Sequence, residues 1–298
     1  MFETPVLFLV FNREDTTQQV FEAIRRQKPK YLFVAADGAR KNKPGEAEAC
    51  QRVRDVVTQI DWDCELKTLF RDENLGCKIA VSEAITWFFL QVEQGIILED
   101  DCLPDPSFFP YCEELLNRYK NDTRIGHISG NCFLPEAMDK NYSYNFSSIA
   151  HIWGWATWRR VWQNFDIRFP FWDETKKNEI KKKNLFNSKR EEIYFSTFIS
   201  DTLSSRQNLS VWDVQYFFML RTQNQLSIYP TVNLVRNIGV GSDLATHTSK
   251  KKNKLLVPLS SVSFPLEHPE YVLRNKELDG FTIKKIFFSW KRLVRYFL

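Results

Sequence analysis

The sequence predicts an α/β protein built on a mainly parallel sheet with helices on both faces. Three observations carry this. Short apolar runs alternate with segments of helical period over the first 130 of the 298 residues. The runs are continuously apolar rather than alternating, which is the pattern of strands buried on both faces. Four of them also end abruptly in polar clusters, as strands do where a parallel sheet opens to a ligand crevice.

Val6–Phe11 is the first strand-like run and ends in Asn12-Arg13. Thr16–Gln27 follows with Val20, Phe21 and Ile24 at helical spacing, and Tyr31–Ala36 is a second strand ending at Asp37-Gly38. Glu46–Ile60 repeats the helical period through Val53, Val56, Val57 and Ile60. Leu66–Phe70 is a third strand that leads into Arg71-Asp72, and Gly76–Val92 is a strongly apolar helix. Gly95–Leu98 is a fourth strand that runs into Glu99-Asp100-Asp101. Asp105-Pro106 is a helix start, a cap followed by proline in the first turn, for a helix to about Tyr119. Ile125–Ser129 is a fifth strand. Beyond about residue 145 the alternation stops. Helical segments are expected near 155–166, 190–206 and 213–224, with a Lys-rich solvated stretch at 176–190 and a loop at 237–254. The expected organisation is a nucleotide-binding half over 1–130, an acceptor-binding and catalytic half of the same domain over 131–280, and a basic amphipathic helix over 281–298.

Composition narrows the class. At 43% apolar residues, with 25 Phe, 10 Tyr and 9 Trp, the chain affords a large core, and 10 Gly with 12 Pro exclude a collagen-like or linker protein. The net charge of +4 is too small to argue for nucleic acid. The excess belongs to residues 281–298, which carry Lys284, Lys285, Lys291, Arg292 and Arg295 and no acid. The six cysteines form no CxxC pair, so free thiols in a reducing cytosol are expected. The short apolar run at the N-terminus, without a basic leader, reads as a buried strand rather than a signal peptide. No stretch reaches the roughly 18 apolar residues of a spanning helix.

Glu99-Asp100-Asp101 is the sharpest chemical signal. Three adjacent carboxylates raise one another's pKa unless a cation compensates, and hard oxygen donors at a strand end suit Mg²⁺ or Mn²⁺. The plainer alternative is a solvated acidic turn. Asp37-Gly38 places a carboxylate at a second strand end, either for a base or ribose or as an ordinary turn. His247, in a Gly/Ser/Thr-rich loop, is the natural nitrogen ligand beside such a triplet. Asp213, between Val211-Trp212 and an apolar helix, is either a helix cap or a general base in an aromatic surround. Trp153-Gly154-Trp155 is either core or a platform for stacking on a sugar or base.

Taken together, Asn12-Arg13, Ala36-Asp37-Gly38, Arg71-Asp72-Glu73-Asn74-Leu75-Gly76-Cys77-Lys78 and Ile97-Leu98-Glu99-Asp100-Asp101 followed by Pro104-Asp105-Pro106-Ser107-Phe108-Phe109 resemble GT-A fold nucleotide-diphospho-sugar glycosyltransferases. Within these, the segments are most similar to bacterial relatives of N-acetylglucosaminyltransferase I and glycosyltransferase family 2, over roughly residues 5–250. The resemblance implies that Asp101 is a metal ligand, completed by His247. It implies that Asp100 faces the donor ribose, Glu99 the donor sugar and Asp37 the uracil edge. Phe11, Asn12, Arg13 and Lys78 join the donor contacts, and Asp213 is the general base. Where the family has a second acid next to that base, this chain has Val214. The implied function is a metal-dependent, inverting transfer of a sugar from a UDP-type donor to a glycan or lipid-linked acceptor in bacterial surface polysaccharide synthesis.

In residues 281–298, Ile283, Ile286, Phe287, Trp290, Leu293, Val294 and Phe297 recur at helical spacing with the bases largely off that stripe. Such a helix suits the inner face of the cell membrane, giving a cytoplasmic, peripherally bound enzyme; the alternative is a helix packed on the domain. Two other functions compete. A sugar-1-phosphate nucleotidyltransferase also uses an α/β sheet and Mg²⁺, but a Gly-rich basic turn is expected after its first strand, where this chain reads Phe11-Asn12-Arg13-Glu14-Asp15. A non-catalytic carbohydrate-binding membrane protein explains the tail and the tryptophans but not the acidic triplet.

Overall fold

A computed structural model describes residues 2–169, 172, 178, 184–203, 211–240 and 256–287. The continuous apolar runs become parallel strands β1 (Val6–Val10), β2 (Tyr31–Ala36) and β4 (Gln94–Glu99), each almost wholly buried, with β3 (Glu65–Phe70) more exposed at the sheet edge. Helices α1 (Glu14–Gln27), α2 (Glu46–Val57) and α3 (Gly76–Phe89) connect them. α1 buries Thr17, Val20, Phe21 and Ile24, places Glu14 and Asp15 in its first turn and Arg25 and Arg26 in its last, and ends at Lys28 in the left-handed conformation. This charge order complements the helix dipole.

β4 leads to a short β5 (Cys102–Pro104) and then α4 (Phe108–Arg118). The Asp105 carboxylate accepts from the Ser107 backbone N–H at 2.9 Å, closing a turn ahead of a helix that starts at Phe108 rather than at the proline. β6 (Ile125–Ser129), β7 (Tyr144–Ser147), β8 (Trp155–Trp158) and β9 (Leu226–Pro230) complete an eight-stranded sheet of order β3-β2-β1-β4-β8-β6-β9-β7. A separate pair joins β5 to β10 (Val235–Asn237).

The largest departure from the sequence reading is at 155–166. The first part of that segment is strand, and only Arg159–Trp162 (α5) is helical. β8 runs antiparallel between β4 and β6, pairing Ile96 with Ala156 and Ile128 with Ala156. Trp155, Ala156, Thr157 and Trp158 are all buried, so both faces of the strand are covered; four residues are too few to distinguish that from an apolar helix turn. The second half therefore extends the sheet itself. Helices α6 (Lys189–Leu203) and α7 (Asp213–Thr222) form where the sequence placed helices near 190–206 and 213–224.

Near the C-terminal end of the described residues, α8 (Lys276–Thr282) begins at Asn275, whose side chain accepts from Leu278 N, and continues as a π-turn over Ile283–Phe287. Ile283 is buried, and Phe287 packs 5.0 Å from the Tyr194 ring and 5.9 Å from the His151 ring. These two members of the apolar stripe are thus spent inside the protein, as in the packed-helix alternative. Its members from Trp290 onward lie outside the described residues. Among the described residues no helix is long and apolar enough to cross a membrane. All six cysteines are free thiols.

Candidate nucleotide site at the carboxyl ends of the strands

β1 passes to β2 on one side and has β4 on the other, so chain direction across the sheet reverses its order between β1 and β4. A crevice opens beyond the carboxyl ends of parallel strands at such a point. The residues that follow those two strands meet there. Arg13, after β1, forms ion pairs with Asp100, through Nη2 and Oδ1, and with Asp101, through Nη1 and Oδ2 at 2.8 Å. Asp100 and Asp101 are buried, and Arg13 is largely so. Burial of the Arg13 guanidinium disfavours its charge, but Asp100 and Asp101 more than offset this and raise its pKa above the ordinary arginine value. Burial pushes the Asp100 carboxyl up while Arg13 pulls it down, leaving it above the ordinary range. Glu99 is driven up by burial and then by the charges of Asp101 and Asp100, with Asp213 adding to the effect.

Among the described residues, the Arg13 guanidinium is thus shared by Asp100 and Asp101, and its charge also reaches Glu99. Among the same residues, the buried Asp100 Oδ2 has no hydrogen-bond partner. Among the described residues no group of three or more His, Cys, Asp or Glu side chains is arranged to hold a metal ion. The donor chemistry nonetheless fits a Mg²⁺-like ion, which takes one or two carboxylates and completes its shell with water and substrate phosphates. Asp100 offers an orphaned acceptor oxygen; Asp101 Oδ2 accepts from Arg13, and Asp101 Oδ1 accepts from Asn237 and from the Cys102 thiol at 3.5 Å, a weak donor that a cation can displace. His247, the expected nitrogen ligand, lies outside the described residues.

Asp37 ends up elsewhere in the argument than the resemblance implied. Its Oδ1 accepts from Gly38 N and Leu75 N, both at 3.0 Å, and its Oδ2 accepts from Gly76 N at 2.9 Å and Asn74 Nδ2 at 3.0 Å. Four donors consume the carboxylate, which serves the loop entering α3 rather than standing open for a base edge. Asn12 Nδ2 donates to Glu46 Oε1 at 2.9 Å, and Glu46 is paired with Arg40, whose guanidinium sits 5.6 Å from the Phe11 ring centroid. Glu46 and Arg40 had no signal in the sequence, where they read as a loop base and a helix-start acid. Lys78 lies half-buried in the first turn of α3.

The aromatic segment divides. Trp155 is fully buried, stacked on Trp212 at 5.8 Å and His127 at 5.3 Å, so it is core and presents no face to a sugar. Gly154 has φ +64°, and a Cβ there would lie 2.7 Å from Val235 Cγ2. The glycine is required by a turn and by close packing. Trp153 remains half-buried, edge-on to Phe133. Asp213 opens α7, accepts from Val214 N at 3.1 Å, and lines a cavity of about 100 Å³ otherwise walled by apolar and aromatic side chains such as Tyr194, Phe195, Phe198, Phe217 and Phe287.

Asn237 and Gly239 are the site residues the sequence reading missed. Asn237 Nδ2 donates to Asp101 Oδ1 at 3.0 Å, and Gly239 packs directly on Asp101 and Arg13. The only available hint was their place at the head of a Gly/Ser-rich loop.

No protein-family model and no curated protein matches the sequence. Among solved structures, the chain is similar to a UDP-glucose pyrophosphorylase complexed with UDP-glucose, at 12% identity over 50% of this chain and 64% of that one, with a TM-score of 0.28. It is similar to 4-diphosphocytidyl-2C-methyl-D-erythritol synthase from Anaerococcus prevotii, at 8% identity over 74% of this chain and 99% of that one, with a TM-score of 0.33. It is also similar to the inositol-1-phosphate CTP transferase from T. maritima, at 8% identity over 55% and 74%, with a TM-score of 0.31. At such identities the likeness concerns the broad α/β layout alone. These structures are nucleotide-transferring enzymes by description, not glycosyltransferases, and the expected sugar transfer is corrected accordingly.

Proposed function

We propose that the chain is a divalent-cation-dependent nucleotidyltransferase, joining a nucleoside triphosphate to a phosphorylated sugar at the crevice between β1 and β4. The observation that carries this reading is the end of β4, where, among the described residues, Asp100 and Asp101 share the Arg13 guanidinium beside Glu99 and the buried Asp100 Oδ2 has no hydrogen-bond partner. Such a site is short of positive charge, and a cation arriving with a polyphosphate supplies it. In the reaction a phosphate oxygen of the sugar phosphate attacks the α-phosphorus of the triphosphate. A new P–O bond forms, the α–β P–O bond breaks, and pyrophosphate leaves with the electron pair.

The roles follow from position. Asp101 and Asp100 would hold Mg²⁺ or Mn²⁺, whose chemistry is to screen phosphate charge and to stabilise the negative charge that grows on the departing pyrophosphate. Arg13, ion-paired with both aspartates, would lie beside those phosphates and could exchange its carboxylate partners for them, since a guanidinium binds either bidentately. The turn after β1 has no glycine, so its backbone does not wrap a triphosphate as a Gly-rich loop does; side chains must carry that task here. Asp37 holds the Asn74–Gly76 loop that walls the crevice.

The test is a panel of nucleoside triphosphates and sugar 1-phosphates with Mg²⁺, read by pyrophosphate release, and the reverse reaction read by pyrophosphate-dependent triphosphate formation from nucleotide-sugars. The reading expects turnover for at least one pair, abolished in Asp101→Asn. Folded protein that turns over no pair in either direction overturns it.

A further inference from the structure

We infer that Asn237 is a positioning residue for the cation site, fixing the Asp101 carboxylate in the orientation a divalent ion needs; this rests on the metal role proposed for Asp101. Asn237 is buried, with 7% of its surface exposed, so its amide cannot be satisfied by bulk water. Both ends of the amide are used. Nδ2 donates to Asp101 Oδ1 at 3.0 Å, and Oδ1 accepts from Gly239 N at 2.9 Å. The backbone bond decides which way the amide faces, because only the oxygen can accept from an N–H. Its NH₂ group is thereby committed to Asp101.

The surrounding chain makes this seat rigid. β10, which carries Asn237, pairs antiparallel with β5, which begins one residue after Asp101, and Asn237 lies opposite Cys102. Ile238 N donates to the Asp101 carbonyl at 2.7 Å. The strand thus grips both the backbone and the side chain of Asp101. Gly239 closes the seat. A Cβ at this position would lie 2.5 Å from Asp101 Oδ2 and 2.7 Å from Arg13 Nη1, so any side chain displaces the carboxylate or the guanidinium.

The division of labour around Asp101 is physical. Arg13 holds Oδ2 with a full positive charge and so competes with an incoming cation. Asn237 holds Oδ1 with a neutral donor, which orients the carboxylate without competing as a charge; the Cys102 thiol, 3.5 Å away, is a second, weaker neutral donor to the same oxygen. Partners that orient a ligand in this way change metal affinity by about 10- to 100-fold when removed.

The experiment measures Mn²⁺ binding to the full chain, with and without inorganic tripolyphosphate, by electron paramagnetic resonance and calorimetry, in wild type, Asp101→Asn, Asn237→Leu, Asn237→Ala and Gly239→Ala. Circular dichroism and urea unfolding establish that each is folded. Asn237→Leu keeps the branch point and the number of heavy atoms and removes the donor; its Mn²⁺ dissociation constant should rise about 10-fold or more. Gly239→Ala leaves the amide in place, crowds the carboxylate and should weaken Mn²⁺ in the same sense. A purely structural asparagine would lower the unfolding midpoint and leave Mn²⁺ affinity alone. Folded Asn237→Leu with wild-type affinity therefore overturns the inference, and if that variant does not fold, wild-type affinity in the smaller Asn237→Ala does so. Wild-type affinity in Asp101→Asn, or no Mn²⁺ binding by wild type either with or without the tripolyphosphate, instead overturns the metal role of Asp101 itself.

Discussion

His127 and His151 give the chain an acid sensitivity whose size can be worked out. Both imidazoles are buried, His127 with no exposed surface. His127 Nε2 lies 2.9 Å from the His151 carbonyl, which can only accept, so Nε2 carries the proton and Nδ1 accepts from Tyr216 O–H at 3.2 Å. That is the neutral tautomer, and no carboxylate is hydrogen-bonded to the ring. Burial pushes the His127 pKa down to about 3 from 6.5, and burial followed by the neighbouring His127 does the same to His151. A histidine with a depressed folded pKa contributes stability that is complete above its unfolded pKa and is lost as pH falls from about 6.5 toward 3. At pH 5 the unfolded imidazole is almost fully protonated and the folded one is not, which costs about 2 kcal/mol per ring and about 4 kcal/mol for the pair. Glu99 acts in the opposite direction, because its folded pKa is raised and its burial therefore becomes less costly as pH falls. The wild-type pH profile mixes the two, so the informative quantity is the difference between wild type and His127→Gln, a variant that keeps a donor for the His151 carbonyl and does not titrate. Urea unfolding at pH 7.5 and pH 5.0 should show the variant gaining about 2 kcal/mol on wild type between the two conditions. A difference unchanged with pH would mean that the imidazole is solvated or charged in the fold, and the burial argument would be wrong.

Removing the resident cation with Arg13→Met should cost about 3 kcal/mol in metal-free urea unfolding, as breaking a buried ion pair does, and millimolar Mn²⁺ should restore more stability to the variant than it adds to wild type. Asp37→Ala leaves the Gly38, Leu75 and Gly76 N–H groups without their acceptor and should cost about 2–4 kcal/mol, with looser nucleotide binding by calorimetry. Trp155→Ala should destabilise by about 3–5 kcal/mol in the same assay, as loss of a fully buried ring does; a change under about 1 kcal/mol would mean that the ring is not core. Phe287→Ala should lower stability by about 1–3 kcal/mol, and no change in its urea midpoint would argue that the ring does not pack on Tyr194 and Phe195.

What the sequence disclosed and what it hid follow from the range of the interactions. Val6–Val10, Tyr31–Ala36 and Gln94–Glu99 were readable because a strand covered on both faces is apolar at every position, which is a local property. β8 was not, because its identity as a strand comes from pairing with Ile96 and Ile128, some 60 and 28 residues away in the chain. Asp37 stayed open between a base or ribose contact and an ordinary turn because the donors to its carboxylate, Asn74 to Gly76, are remote in sequence. Asn237 carries only its place at the head of a Gly/Ser-rich loop as a local mark; its meaning is conferred by Asp101, 136 residues earlier.

The acidic triplet was visible because it violates a local rule, and the fold explains why the violation persists. β4 is an inner strand between β1 and β8, so its end cannot escape to solvent as an edge turn would. Arg13 partly neutralises it, and the remaining imbalance raises Glu99 and Asp100 above their ordinary pKa ranges. A sheet selected only for stability would place polar but uncharged residues there, since replacing buried ion pairs by neutral groups is often neutral or favourable. Retaining three carboxyl groups against one guanidinium makes physical sense where a second cation arrives with its substrate. Around Asp101 the same division holds: Arg13 binds Oδ2 with a full charge, whereas Oδ1 is held by two neutral donors, the Asn237 amide and the weaker Cys102 thiol, so a cation would meet less electrostatic opposition at Oδ1 than at Oδ2.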